Sequence, residues 1–350
     1  MFKAGFALFV MWSALVATSA AATAAAKVDP LFTSHDVLEV TLTAPFRSMS
    51  RDRDEEPEER LGTLAYTFGD ESQSIAIGIR PRGKSRRDRN VCNFPPLRLN
   101  LPKGELKGTL FAKQNKLKLV SHCKQSENHQ QILLREYLAY RLFNLLTDAS
   151  FKVRLLTVNY VDEDRKGKVT TRLGFLIEHK NRLARRLDTE LVDTKRVDRN
   201  KLVPAASTLA ELYQYLISNT DYSFIAGPEG DNCCHNAVLF AGAAGEVLPV
   251  PYDFDVSGLV DAPYALPQEE LRQRNVRDRL FRGFCRTGPH LEKAVEKMQQ
   301  VRGEMYGLVT GLDALNANNE RKVTRFLDSF FATLDDDARF QRDIAGACRG

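Results

Sequence analysis

Three short polar segments in the second half of the chain carry oxygen-bearing side chains in an order that suits phosphate chemistry. They are SNTDYSF (218–224), CCHN (233–236) and VPYDFD (250–255). Magnesium prefers oxygen ligands and takes few of them from the protein when phosphates and water supply the rest. Asn236 and Asp253 are therefore candidate magnesium ligands, and Asp221 is a candidate base for an incoming hydroxyl group. Any one of these residues could instead cap a turn, but the ordered set favours a magnesium–phosphate site.

A basic turn in the first half of the chain is a candidate phosphate-binding loop. The run IRPRGKSRR, from Ile79 to Arg87, places a glycine among basic side chains at the end of a predicted strand. The backbone N–H groups of such a turn, together with Arg and Lys, can approach phosphate oxygens. The alternative interpretation is a charged surface hairpin.

A lysine and a glutamate in neighbouring predicted elements form a third candidate group. Lys118, or Lys116, lies on a predicted strand, and Glu136 lies in the long helix that follows it. In a kinase-like lobe the strand lysine holds the nucleotide phosphates and the helix glutamate orients it. The order of strand and helix favours this role, whereas Lys-x-Lys alone is typical of the exposed face of an amphipathic strand.

The elements that must position these residues divide the chain into a β-rich first half and a mostly helical remainder. Period-2 alternation predicts strands of an antiparallel sheet, helical periodicity predicts a long helix, and two further strands precede the helices of the second half. The predicted strands are 38–45, 61–68, 74–80, 97–101, 116–122, 151–161 and 172–179, and the predicted helices are 127–146, 207–219, 268–308 and 317–334. The order predicts the α+β class.

Composition places the chain among folded globular proteins. Of its 350 residues 43% are hydrophobic and 27% are charged, which excludes a disordered chain. The net charge of +5 is modest, and basic residues are interspersed with acidic ones. The sequence therefore does not predict a nucleic-acid partner.

The N-terminus has the three regions of a signal peptide. Lys3 precedes an apolar run from Ala4 to Ala17, and a small-residue stretch with A-x-A sites follows before Lys27. The apolar run is shorter than the roughly 20 residues of a membrane-spanning helix, which is the alternative. We therefore predict a signal peptide at 1–26, a β-rich unit at 27–180 and an α-rich unit at 181–350. The protein would be exported to the periplasm or beyond the cell, meeting a membrane only during export.

All six cysteines follow the predicted signal peptide, and an even number in an oxidising compartment favours disulfides. Cys92 with Cys123 is the first predicted pair, because each adjoins a predicted strand. Adjacent cysteines rarely bond each other, so we expect Cys233 and Cys234 to bond one each to Cys285 and Cys348. A zinc site is the rival interpretation, since His122 and His235 adjoin cysteines, but the C-x-x-C spacing of structural zinc sites does not occur.

The order of these motifs resembles the CotH family, the spore-coat-protein-H-like atypical kinases, over roughly residues 75–260. The segment REYLAYRLF (135–143) is similar to the family's R-E-x-L-A-Y-x-L-F helix. The family's other elements are an I-R-G-x-x-S-R turn, a K-S-F-R-L-K-F strand, a G-x-Y-x-x-x-E strand, N-x-D, H-N and P-W-D-x-D. They look like Ile79 to Arg87, Pro96 to Leu101, Gly174 to Glu178, Asn219 to Asp221, His235 to Asn236, and Pro251 to Asp255.

The resemblance implies a bilobal protein-kinase-like fold that transfers the γ-phosphoryl group of Mg-ATP to Ser or Thr of secreted or envelope proteins. It makes Asp221 the catalytic base and makes Asn236 and Asp253 the metal ligands. Asp255 is the alternative ligand, because spacing does not decide which aspartate of D-F-D faces the metal. The residues that the resemblance assigns to ATP binding are Arg82, Lys84, Arg86, Arg87, Lys118, Glu136 and Glu178.

The chain departs from the family pattern at three places. Pro81 stands where the family's turn has glycine, Tyr252 replaces the usual tryptophan, and the segment from Asp221 to His235 is long and carries a cysteine pair. Two other functions therefore remain open: a non-catalytic envelope scaffold or binding protein, and transfer of AMP instead of phosphate.

Overall fold

The computed structural model describes residues 28–104 and 106–350, so the predicted signal peptide lies outside the described residues. The strands are β1 Leu38–Ala44, β2 Arg60–Phe68, β3 Glu71–Pro81, β4 Leu97–Asn100, β5 Lys116–Val120, β6 Val153–Asp162, β7 Lys168–Ile177, β8 Glu190–Leu191, β9 Ala237–Ala241 and β10 Val247–Pro251. The helices are α1 Phe46–Met49, α2 Glu127–Leu146, α3 Lys180–Leu187, α4 Pro204–Leu216, α5 His290–Gln300, α6 Arg302–Thr310, α7 Ala317–Leu334 and α8 Asp337–Asp343.

The first seven strands form a closed barrel in the order β1-β2-β3-β4-β5-β7-β6. Neighbouring strands are antiparallel except at the closure, where β1 pairs with β6 in parallel, from Leu38 opposite Leu156 to Ala44 opposite Asp162. The α+β class was predicted, but the bilobal kinase-like fold was wrong, because the strands assigned to its first lobe close on themselves. The closing pair joins segments more than a hundred residues apart, which local alternation does not specify.

Alternation within the strands fills the barrel. In β1 the buried and more exposed positions alternate, and Leu42, Leu64 and Ile79 from three adjacent strands meet in one interior cluster. The first four residues of β6 and the last four of β7 are buried on both faces, because their other face packs against α2. Phe175 of β7, for example, lies 5.7 Å from the ring of Tyr140 in α2, centroid to centroid. Helix α2 therefore joins the barrel to the rest of the molecule.

The second core lies between α2, a small sheet and the C-terminal helices. Strands β8, β9 and β10 form this sheet in the order β10-β9-β8, and all its pairs are antiparallel. Tyr213 of α4 packs on Phe143 of α2, and its hydroxyl donates to the carbonyl of Ala139. These contacts hold the sheet close to the barrel, and the candidate site lies where the two meet.

The helix predicted over 268–308 is present only in its second part, as α5 and α6. Residues 272–289 form a loop, because their arginines make hydrogen bonds to distant backbone groups. The Arg279 guanidinium donates to the carbonyls of Leu216 and Phe326. Gly283, Gly288 and Pro289 also disfavour a continuous helix there.

Three disulfides are present. The predicted Cys92–Cys123 pair is confirmed, but the predicted pairing of the other four cysteines was wrong. Cys233 bonds its neighbour Cys234, and Cys285 bonds Cys348. Three disulfides fit a protein that folds in an oxidising compartment.

None of the described helices is long and apolar enough to cross a membrane.

Candidate functional site

A cleft of about 800 Å³ lies between the barrel and the small sheet. Its lining brings together segments that are far apart in the sequence: the turn after β3, strand β4, and the loops that flank β9 and β10. The predicted site residues that line it are Arg82, Lys84, Arg86, Arg87, Asp221, Asn236, Asp253 and Asp255. The remaining three, Lys118, Glu136 and Glu178, lie outside this lining.

Pairing of the two short strands explains why the candidate metal ligands meet. Strand β9 begins opposite the end of β10, with Ala237 opposite Pro251, so the residue before β9 lies beside the residues after β10. The N–H of Tyr252 donates to the carbonyl of Asn236, at 3.0 Å. Asn236 and Asp253 have left-handed backbones, with φ of +50° and +62°. Such conformations cost energy in residues other than glycine and cluster at functional sites.

Asp221 is held by its neighbours on the same side of the cleft. A backbone bridge between Ser223 and His235 brings the two loops together. His235 Nε2 lies 2.7 Å from Asp221 Oδ1, and Asn236 Nδ2 donates to Asp221 Oδ2 at 2.9 Å. The hydrogen bond to Asp221 raises the pKa of His235. Because its amide nitrogen is engaged in this way, Asn236 has its oxygen Oδ1 left as a possible metal ligand.

Arg86 lies at the centre of three carboxylates. Its Nη1 is 3.0 Å from Glu136 Oε2, its Nη2 is 3.5 Å from Asp253 Oδ1 and its Nε is 3.2 Å from Asp255 Oδ2. Burial raises the pKa of Glu136 and outweighs the lowering by Arg86. Burial also raises the pKa of Asp255. One guanidinium does not neutralise three ionised carboxylates, so a further cation would favour the ionised form of the cluster.

The predicted pair of Lys118 and Glu136 is not formed, because Arg86 is the partner of Glu136. Lys118 lies instead against Tyr252, with Nζ 4.5 Å from the ring centroid. Burial, reinforced by the nearby Arg82, lowers the pKa of Lys118 to about 7. Lys118 therefore borders the cleft behind Tyr252, at a short distance from the carboxylate cluster.

Lys118 belongs to a row of cations across three neighbouring strands. Arg80 of β3 lies directly opposite Arg98 of β4, and Arg98 lies directly opposite Lys118 of β5. Their neighbours along the strands, such as Leu97 and Leu99, point into the barrel, so the row is on its outer face. Like charges directly opposite each other destabilise a sheet. Within 28–104 and 106–350 no carboxylate forms an ion pair with any of the three, so the row is suited to an external anion.

The other residues of the basic turn make contacts at the cleft edge. Lys84 is exposed and lies 3.3 Å from Asp231 Oδ2, and Arg87 donates to the carbonyl of Asp54. The N–H of Arg82 donates to the carbonyl of Pro96, which fixes the turn beside β4. Gly83 has φ of +91°. The turn has no glycine at position 81, but Gly83 adopts a left-handed backbone conformation two residues later.

Glu178 has a structural role away from the cleft. It forms a buried, two-pronged ion pair with Arg186 of α3, at 2.9 and 3.1 Å, and accepts from the N–H of Lys152. Arg186 also donates to the carbonyls of Asp148 and Ser150. Both carboxylate oxygens of Glu178 are engaged in joining α3 to the connection between α2 and β6, so the structure does not bring Glu178 to the cleft with the other residues predicted to bind a nucleotide.

The donor set fits magnesium better than a transition metal. No group of three or more His, Cys, Asp or Glu in the described part of the chain is arranged to hold a metal ion. The zinc alternative is not supported by the cysteines either, since all six form disulfides. Magnesium needs only one or two carboxylates when phosphates supply further oxygens. Asp253, whose side chain is 36% exposed, and Asn236 meet that requirement, whereas Asp255 is buried against Arg86.

Sequence reasoning missed two kinds of site residue. Arg80 and Arg98 were not assigned to the site, although their outward positions in alternating strands are visible in the sequence. The contact of His235 with Asp221 was missed because the thirteen residues between them carry no periodic signal. No family model and no curated protein match this chain.

Proposed function

We propose that the cleft binds a magnesium-bound nucleoside triphosphate, ATP in the first instance, and transfers its terminal phosphoryl group to a hydroxyl group. The observation that carries the proposal is the composition of one cleft. The cleft is lined on one side by basic residues of β3, of β4 and of the turn between them. It is lined on the other side by aspartate and asparagine residues from the loops around β9 and β10. Phosphates need the first group, and magnesium needs the second.

The residues of the cleft take distinct roles in this proposal. Arg80 and Arg98, which line the cleft, neutralise the phosphates, Lys118 behind Tyr252 adds to the positive charge beside them, and Arg86 keeps the carboxylates in position. Asp253 and Asn236 hold magnesium, which when bound supplies charge neutralisation at the phosphates. Phosphoryl transfer forms a bond from the acceptor oxygen to the terminal phosphorus and breaks the bond to the diphosphate. Asp221 takes the proton of the acceptor hydroxyl.

The acceptor in this proposal is a Ser or Thr side chain of a secreted or envelope protein. The disulfides support a location outside the reducing cytosol. The predicted signal peptide and the resemblance to the CotH family favour the periplasm or the cell exterior and a protein substrate.

Nucleotide binding is tested by thermal unfolding of the chain without its first 26 residues. Mg-ATP at about 100 times its Kd would stabilise the folded state by about 2.7 kcal/mol, and ATP with EDTA would have a much smaller effect. Asp253→Asn is expected to abolish the magnesium dependence. Asp313→Asn, at an exposed position outside the cleft, is the matched control. A wild-type melting temperature that does not respond to Mg-ATP would overturn the proposal.

Transfer is tested separately with Asp221→Asn, which preserves the size of the side chain. This variant is expected to keep the stabilisation by Mg-ATP and to lose incorporation of phosphate from labelled ATP into envelope proteins by at least about a hundredfold. Mass spectrometry of the products distinguishes added phosphate from added AMP. Binding without any transfer in the wild type would support the non-catalytic alternative instead.

A further inference from the structure

A second pocket, of about 310 Å³, lies at one end of the barrel and shares no lining residue with the cleft. We call it the mouth pocket. It is formed by α1, the segment before β4, the segment after β5, and the adjoining ends of β6 and β7. Barrel mouths are common positions for small-molecule sites, and this volume is at the small end of such sites.

Four rings surround the inner part of the mouth pocket. Phe94 stacks on His122 at 4.7 Å with an interplanar angle of 21°. Tyr160 is packed against Phe94 at 5.0 Å and against Phe46 at 5.2 Å, edge to face in both cases. Aromatic walls favour a flat apolar ring as the ligand.

Two of these rings carry polar atoms without partners in the described part of the chain. His122 is 1% exposed and Tyr160 is 3% exposed, yet His122 Nδ1 and the Tyr160 hydroxyl make no hydrogen bond. The Gln125 amide nitrogen lies 3.2 Å from His122 Nε2, so Nε2 accepts and Nδ1 carries the proton of the neutral ring. Burial lowers the pKa of His122 to about 3, which keeps the ring neutral. Buried polar atoms are rarely left unpaired, because doing so destabilises the fold.

The rim of the mouth pocket is cationic. Arg47, Lys124 and Arg165 line it together with a single carboxylate, that of Asp162. Asp162 is already engaged, since it accepts from the backbone N–H groups of Arg47 and Asp164 and lies 3.5 Å from Arg165 Nε; Arg47 and Lys124 are the rim cations that form no ion pair in the described part of the chain. The rim therefore favours an anionic group at the entrance.

We propose that the mouth pocket binds a small aromatic carboxylate that carries a hydroxyl group on its ring. The ligand ring packs against the wall that Phe46, Phe94, His122 and Tyr160 form at the inner end of the pocket, its hydroxyl group pairs with the Tyr160 hydroxyl or His122 Nδ1, and the carboxylate meets the rim cations. This site does not depend on the function proposed for the cleft.

The probe for this site is 4-hydroxybenzoate, titrated calorimetrically in the absence of nucleotide and magnesium. We expect a Kd of about 0.1–1 mM. Benzoate lacks the phenolic hydroxyl group, and 4-hydroxybenzyl alcohol lacks the negatively charged carboxylate. Both should therefore bind more weakly than 4-hydroxybenzoate. The absence of detectable binding of 4-hydroxybenzoate up to about 10 mM would overturn the proposal.

Tyr160→Phe removes only the hydroxyl and separates the proposed site from non-specific binding. It should weaken 4-hydroxybenzoate about 3- to 10-fold and leave benzoate unchanged. It should also raise the melting temperature of the free protein, because a buried unpaired hydroxyl is removed. Tyr66→Phe, in the same barrel but outside the mouth pocket, is the matched control and should leave both affinities unchanged. Equal affinity of wild type and Tyr160→Phe for 4-hydroxybenzoate would contradict the proposal.

Discussion

Arg86 determines the charge balance of the cleft at the scale of a single residue. Its planar guanidinium reaches three carboxylates through three different nitrogens, a geometry that the single ammonium of lysine does not reproduce. Arg86 thereby holds α2, which carries Glu136, to the loop that carries Asp253 and Asp255. Of the two candidate magnesium ligands, Arg86 contacts Asp253, and Asn236 is positioned by the pairing of β9 with β10.

Lys118 gives a prediction about the pH dependence of stability. Its folded pKa is lowered to about 7 from 10.5, mainly by burial. The unfolded state therefore binds more protons between these values, and stability rises with pH across that window. Lys118→Met keeps the apolar stem and removes the titrating amine. We expect it to stabilise the protein near pH 6 by at least about 1 kcal/mol, and the gain should vanish near pH 10.

Thermal unfolding of the Lys118→Met variant across this pH range measures the effect. Lys116→Met, two residues earlier on the exposed part of β5, is the matched control and should show no such pH dependence. A constant difference in melting temperature between wild type and Lys118→Met at all pH values would contradict the assignment.

At the scale of elements, the cleft depends on connections that lie outside it. Strands β9 and β10 bring Asn236 and Asp253 together, and the N–H of Asp253 donates to the hydroxyl of Tyr140 in α2 at 2.9 Å. Helix α2 thus contacts the carboxylate cluster at two points, through Tyr140 and through Glu136. A change in the position of α2 would move the metal ligands and Arg86 together.

The ion pair between Glu178 and Arg186 is predicted to stabilise the fold without contributing to the cleft. Glu178→Gln leaves a buried guanidinium without its counter-charge, which should lower the free energy of unfolding by about 3–5 kcal/mol. At a low temperature, where the Glu178→Gln variant is still folded, it should bind Mg-ATP as tightly as wild type.

Urea denaturation tests the prediction for Glu178, and Asp148→Asn is its control. The Asp148 side chain is 81% exposed and forms an ion pair with the mostly buried Lys152 in the same region, at 3.3 Å, so its substitution should cost less than about 1 kcal/mol. If the folded Glu178→Gln variant binds Mg-ATP more weakly than wild type, Glu178 contributes to nucleotide binding and the prediction is wrong.

At the scale of the whole molecule, two disulfides close long loops and one closes none. Cys285–Cys348 spans 63 residues and ties the C-terminus to the loop before α5, whereas Cys92–Cys123 spans 31 residues beside β4 and β5. Closing a longer loop removes more entropy from the unfolded chain. The barrel and the C-terminal helices are therefore each constrained by one covalent link.

Removal of a disulfide should destabilise the protein more when the loop that it closes is longer, with a logarithmic dependence on loop length. We expect paired Cys→Ser substitutions to cost about 4 kcal/mol at Cys285–Cys348 and slightly less at Cys92–Cys123. The adjacent Cys233–Cys234 pair encloses no loop and should cost less than about 1 kcal/mol. Urea denaturation of the three double variants gives the order, and a larger loss at Cys233–Cys234 than at Cys285–Cys348 would contradict it.

The sequence by itself determined the local elements and contained, as predicted site residues, eight of the side chains that line the cleft. Alternation located the barrel strands to within a few residues, and helix α2 was predicted with the bounds that the structure has. Residue type and order also identified Asp221, Asn236, Asp253 and the basic turn. These features depend on neighbours along the chain, which a single sequence contains.

Only the tertiary structure decided how distant segments meet. Parallel pairing of β1 with β6 closes the barrel, and Arg86 replaces Lys118 as the partner of Glu136. The pair of Cys285 and Cys348 was not predicted for the same reason, since these two residues meet through the fold of the last helices. Each of these contacts depends on side-chain packing and charge between segments far apart in sequence, and local periodicity carries no information about such contacts.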